Sequence, residues 1–117
     1  MRREQVGKVL KTLARFYGIP APPFVVRKRG KVVFGRRVYG QCHVAFCSTG
    51  RVACWIEFYG EPELRWVLHE FAHYLHAWLG EFPRDRSLRE KLAEEFVERW
   101  LPFFKKQKLR GKEDENC

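Results

Sequence analysis

The stretch Val52-Ala53-Cys54-Trp55-Ile56-Glu57-Phe58-Tyr59-Gly60-Glu61-Pro62-Glu63-Leu64-Arg65-Trp66-Val67-Leu68-His69-Glu70 changes its hydrophobic pattern halfway along. Up to Phe58 the apolar residues include the β-branched and aromatic types that favour a strand. Beyond Gly60-Glu61-Pro62 they recur at intervals of three and four, as on one face of a helix. A strand over Val52–Phe58 is therefore followed by a helix over Leu64–Leu79, with Pro62 at a favoured start and Gly80 at a favoured stop. Upstream, Phe24–Arg27 and Lys31–Phe34 flank Lys28-Arg29-Gly30, and Val38–Cys47 precedes Ser48-Thr49-Gly50-Arg51. These signals predict a three- or four-stranded antiparallel meander. Before it, Val6, Val9, Leu10 and Leu13 mark a helix over Glu4–Tyr17, ended by Gly18-Ile19-Pro20-Ala21-Pro22-Pro23. Downstream, Ser87 with Glu90 fits a capping box opening a helix over Leu88–Leu101, which Pro102 should stop. The predicted class is α+β, in the order helix, sheet, helix, helix. Residues 1–104 would form one domain and residues 105–117 a charged, mobile tail.

Composition narrows the classes. With 45% hydrophobic and 15% aromatic residues in 117, the chain can bury a core and is not a disordered polymer. It has no apolar run of about 18 residues, so no membrane partner is expected. Met1–Gln5 leads into an amphipathic segment and not a secretory apolar core, so a cytoplasmic location is expected. The abundance of charge and scarcity of Asn, Gln and Met suit a heat-adapted protein. The net charge of +9 is unevenly spread: residues 1–60 carry 12 Lys/Arg against 2 Asp/Glu, residues 61–117 carry 11 against 12.

The predicted second helix contains His69-Glu70-Phe71-Ala72-His73. Histidines four apart on one helix face can both reach a single metal ion. Glu70, next to the first of them, sits to one side, where it can reach a water on the metal instead of the metal itself. That suits a general base, with Zn2+ lowering the pKa of the water toward about 7. The plainer alternative is a hydrogen-bonded histidine pair beside a salt-bridged glutamate. Three of the chain's four histidines lie in this core helix, however, and burying two imidazoles and a carboxylate without partners is costly. A catalytic zinc needs a third protein ligand. His76 lies too far along the axis, and the next helix offers Glu90, Glu94 and Glu95. Glu90 is favoured, Glu94 is a substitute or neighbour, and Glu95 falls on the solvent side.

The pattern His69-Glu70-x-x-His73 followed by Glu90-x-x-Ala93-Glu94-x-Phe96 resembles the gluzincin metallopeptidases, with similarity to their HtpX-like and ImmA/IrrE-like branches. The small size and element order resemble minimal single-domain gluzincins. The resemblance covers about Val67–Pro102. It implies one zinc per chain held by His69, His73 and Glu90, with Glu70 as general base in peptide-bond hydrolysis. It departs from the ImmA/IrrE pattern at Glu94, where that branch prefers Asn, which leaves Glu90 and Glu94 both open as ligand. In such enzymes the strand before the zinc helix often rims the cleft, and an extended substrate pairs with it; here that would be Val52–Phe58. Some minimal gluzincins are held latent by their own termini, and Cys117 could serve in that way. His76, Tyr74 and Tyr59 are sequence neighbours that could stabilise an oxyanion.

Other features point elsewhere. Cys42, His43, Cys47 and Cys54 lack the paired knuckles of a structural zinc site, so a disulfide or plain thiols is the better reading. Arg27, Lys28, Arg29, Lys31, Arg36 and Arg37 form a basic strip with Phe24, Phe34 and Tyr39 interleaved. Such a strip can grip phosphates and stack bases, so nucleic acid is a possible partner beside a peptide or protein substrate. The alternative to the peptidase is a non-catalytic zinc-binding regulatory or nucleic-acid-associated module of the same fold. Sequence leaves the oligomeric state open.

Overall fold

The computed structural model describes the backbone of residues 1–46 and 52–115. The order is α1 (Arg3–Tyr17), β1 (Phe24–Arg27), β2 (Lys31–Val33), β3 (Arg36–Val38), β4 (Gly40–Phe46), β5 (Val52–Tyr59), α2 (Leu64–Trp78) and α3 (Arg86–Glu115). The class and the order helix, strands, helix, helix are those the sequence predicts. Cys47, the turn Ser48–Arg51 and Cys117 lie outside the described residues.

The strands connect differently from a simple meander. β5 is central in a three-stranded sheet of order β1-β5-β4, antiparallel to β4 and parallel to β1. β2 pairs only with β3, in a separate hairpin. The expected Phe24–Arg27/Lys31–Phe34 hairpin thus does not form. The reason is burial: Phe24 and Val26 pack against the core when β1 lies beside β5, whereas Val32 and Val33 stay exposed. The lone β2 then takes its nearest neighbour through the two-residue turn Phe34-Gly35. Both turn residues have positive φ, 49° and 76°, the geometry that suits the twist of a hairpin. Phenylalanine is a poor fit there, because its Cβ crowds the left-handed conformation.

α2 is the spine. Ten of its fifteen residues are buried, among them Val67, Leu68, Phe71 and Ala72, against α1, α3, β4 and β5. Leu10 and Leu13 of α1, Ile56 and Phe58 of β5, and Ala93 and Val97 of α3 complete the core. Such a position buries residues on every side of α2, including His69, Glu70 and His73.

Both ends of α3 differ from expectation. Asp85 accepts the Ser87 backbone N–H through Oδ1 at 2.8 Å, so the helix starts at Arg86, two residues earlier than expected, and Ser87 lies inside it. This matters for the site, because Glu90 is no longer needed to cap. The helix also runs on through Pro102. The proline removes one hydrogen bond, but Phe104 beyond it is buried and sits 6.1 Å from Trp100, tying the two sides together. Among the described residues no helix is long and apolar enough to cross a membrane.

Candidate metal centre

Three polar groups converge where the middle of α2 meets the first turns of α3. His69 Nε2 lies 3.2 Å from His73 Nε2 and 2.9 Å from Glu90 Oε2, and His73 Nε2 is 3.4 Å from Glu90 Oε1. The histidines meet because i and i+4 share a helix face. Glu90 meets them because the short turn after α2 brings α3 back antiparallel. A tetrahedral zinc with bonds of about 2.0–2.1 Å has ligand–ligand edges of about 3.3–3.4 Å. The observed separations, one to each oxygen of Glu90, are close to that size.

The far nitrogen of His69 is also held. Its Nδ1–H donates to Glu94 Oε1 at 3.1 Å, and the other oxygen of Glu94 takes the Arg65 guanidinium. With Nδ1 carrying the proton, Nε2 presents a lone pair toward the Glu90 carboxylate. Acceptors facing one another at 2.9 Å require a cation between them. That cation is either a proton shared between His69 and Glu90 or a metal ion. The role of Glu94 is therefore to orient His69 from behind, and Glu90 is the carboxylate that faces both imidazoles. Glu95 is exposed on the outside of α3.

Glu70 is buried beside this cluster, and its Oε2 has no hydrogen-bond partner. Burial, with the Glu90 carboxylate adding to it, pushes its carboxyl up to about 8. Burial, then the neighbouring His69, holds His73 down to about 4, so its imidazole is neutral and able to ligate at ordinary pH. His69, Glu70 and His73 alone also offer ligand atoms within 4.8 Å of one another. Glu90 is the better third ligand, since it already approaches both imidazole nitrogens within 3.4 Å. The fit to a divalent ion is good: two imidazoles and one carboxylate converge, Glu94 orients one of the histidines, and a buried carboxylate without a hydrogen-bond partner lies alongside.

The cleft over this centre encloses about 840 Å³. It is bounded by the β2–β3 hairpin, by β4 and by the start of α3. The strand at its rim is β4, through Gly40, Cys42 and Val44, and not β5, which is central and paired on both sides. Gly40 is necessary there. A Cβ on it would meet Glu70 Cγ at 3.0 Å and Phe58 Cδ1 at 3.2 Å.

No protein-family model, curated protein or solved structure matches the chain. The site is therefore read from its own geometry.

Several sequence candidates stand apart from the cleft. Tyr74 donates its hydroxyl to the Pro20 carbonyl, Tyr59 donates to Gln41 Oε1 at 3.4 Å, and none of Tyr59, Tyr74 and His76 lines the cleft. Cys42 and Cys54 are free thiols, and His43 points to the opposite sheet face from Cys42, 3.1 Å from Glu57. The basic strip is dispersed. Arg27 pairs with Glu57, Arg37 lies over the Tyr39 ring, and Phe24 is turned inward. Missed by the sequence reading are Arg86 and Arg89, which line the cleft from α3. Arg89 adjoins Glu90 in sequence, the one signal that could have found it.

Proposed function

We propose that the chain is a zinc-dependent metallopeptidase of gluzincin type, hydrolysing peptide bonds with one zinc per chain. The observation that carries this is the convergence of His69 Nε2 and His73 Nε2, 3.2 Å apart, on the Glu90 carboxylate, which meets the first through Oε2 at 2.9 Å and the second through Oε1 at 3.4 Å. A proton on His69 alone would account for Glu90 and Glu94. It would not account for His73 at the same carboxylate, nor for the unpartnered Glu70 beside it.

His69, His73 and Glu90 would hold the ion, which when bound supplies Lewis acidity toward a water and toward the scissile carbonyl. Glu94 keeps the proton of His69 on Nδ1, leaving Nε2 free to ligate. Glu70 accepts a proton from the attacking water at its unpartnered Oε2 and returns it to the leaving amine. The buried α2 face excludes bulk water from behind, and the free edge of β4 offers backbone groups to an extended substrate.

Metal analysis and hydrolysis of an unfolded protein together test the reading. Wild type should carry one zinc per chain and cleave. Glu70→Gln should keep the zinc and lose about 10²–10⁴-fold in rate. A wild-type protein that binds zinc and cleaves nothing would reduce the domain to a binding module, and one that binds no zinc would end the proposal.

A further inference from the structure

The β2–β3 hairpin carries features that a connection does not need. Phe34 at its tip is wholly exposed and has φ 49°, a left-handed conformation that asparagine or glycine adopts more readily. Its ring contributes nothing to the core, and Val32 and Val33 beside it are exposed too. A strained apolar tip of this kind points to a contact outside the chain's own interior. The hairpin is also anchored to the metal centre. Tyr39, just past β3, stacks on Trp66 at 4.8 Å with planes 9° apart, and Trp66 lies 5.4 Å from the His69 ring.

Charge gives the second, independent observation. The cleft takes Lys31 and Arg36 from the hairpin and Arg86 and Arg89 from α3. Among the described residues none of these four is in a salt bridge. Lys31 reaches the Gln41 amide and lies over the Tyr59 ring, and Arg89 lies over the Phe82 ring, contacts that leave both charges unneutralised. The carboxylates lining the same space are Glu70, which is buried, and Glu90, which is engaged with both histidines. Four cations therefore face a cleft whose own acids are committed at its floor, and clefts lined by one sign of charge concentrate ligands of the other.

We propose that the hairpin is a gripping flap that selects an extended, acidic polypeptide segment, its carboxylates pairing with Arg36 and Arg86 and an apolar side chain closing on Phe34. Val33 and Phe34, the apolar residues that the hairpin's first strand and tip present to the cleft, favour side chains of a polypeptide over a phosphate backbone. The inference rests on the peptidase reading for what happens to the segment, but binding itself requires no hydrolysis.

Fluorescence anisotropy tests it, using zinc-supplemented Glu70→Gln protein at physiological salt. The probe is a fluorescein-labelled unstructured peptide rich in glutamate and leucine. It should bind about tenfold or more tightly than its glutamine-for-glutamate counterpart, as expected for two charge pairs in a confined site. The double variant Arg36→Gln/Arg86→Gln should erase that difference, and Lys31→Gln alone should reduce it, so one badly folded variant does not spoil the test. Phe34→Asn should weaken both peptides several-fold without lowering the melting temperature. Equal affinity for the two peptides would overturn the proposal. So would a labelled oligothymidylate that binds more tightly and depends on the same arginines. Hydrolysis without charge preference would sink this inference and leave the peptidase standing, while charge-selective binding without any hydrolysis would do the reverse.

Discussion

His69 has two nitrogens with different duties, and the two glutamates on α3 divide between them. Glu94 meets Nδ1 at 3.1 Å and Glu90 meets Nε2 at 2.9 Å. Glu90→Ala should therefore abolish stoichiometric zinc, whereas Glu94→Ala should weaken it only about 10–100-fold, as loss of an orienting partner does. Titration with a competing chelator distinguishes them, and equal losses would show that the division is wrong. Glu70 and His73 give the metal-free protein opposite responses to pH. The Glu70 carboxyl is raised to about 8, so the folded chain holds a proton that the unfolded chain releases near 4.5. Its contribution to stability is complete below about 4.5 and is lost as the pH rises through about 8. His73 is lowered to about 4 from 6.5; its contribution is present above 6.5 and is lost as the pH falls through about 4. Thermal melts of the metal-free protein should thus fall by several degrees as the pH is raised toward 8. Glu70→Gln should flatten that alkaline limb, and an unchanged slope would contradict the assignment. The pair His69 and His73 was legible in the sequence, since spacing on one helix is a local property. The choice between Glu90 and Glu94 was not, because it depends on how α3 rotates against α2.

Among the elements, β4 decides what the cleft looks like. It is the sheet edge beside the centre, and Gly40 at its start lets Glu70 lie against it. Gly40→Ala would bring a Cβ to 3.0 Å from Glu70 Cγ and 3.2 Å from Phe58 Cδ1, so the Glu70 side chain must shift. Overpacking of this kind costs about 1–3 kcal/mol. If Glu70 is the base of the proposed hydrolysis, its displacement should lower the rate by about tenfold or more while zinc content is unchanged. Parallel loss of zinc and activity would instead mean that α2 as a whole had moved. The sequence placed the strands nearly where they are, but it could not tell which edge was free. A strand's alternation encodes which face is buried and says nothing of which neighbour it hydrogen-bonds. The same limit explains β1. Its apolar residues are buried by lying parallel to β5, a partner about thirty residues away, and no local turn signal records that pairing. The early start of α3 had a local signal in Asp85, outweighed in the sequence reading by the Ser87–Glu90 pattern.

At the scale of the whole molecule, the metal would join α2 to α3 and so stabilise the fold as well as the site. A ligand at a thousandfold excess over its Kd adds about 4 kcal/mol, and about 4–8 °C accompanies each kcal/mol in a domain near this size. Zinc removal by a chelator should therefore lower the melting temperature by more than about 10 °C, with recovery on adding zinc back and no such response in Glu90→Ala. A melting curve indifferent to zinc would remove the centre from the account of the fold. By itself the sequence determined the α+β class, the order of elements, and the two histidines with Glu70 on one buried helix. Each of these follows from periodicity and spacing within a single segment. Only the tertiary structure decided that Glu90 faces both imidazoles, that β4 and not β5 borders the cleft, and that Lys31 and Arg36 line that same cleft. In the sequence the basic excess lies in residues 1–60 and the chemistry in residues 61–117, apart from one another. The fold brings them together because β2 and β3 pair with each other outside the main sheet, and Tyr39 stacked on Trp66 holds that hairpin over the site.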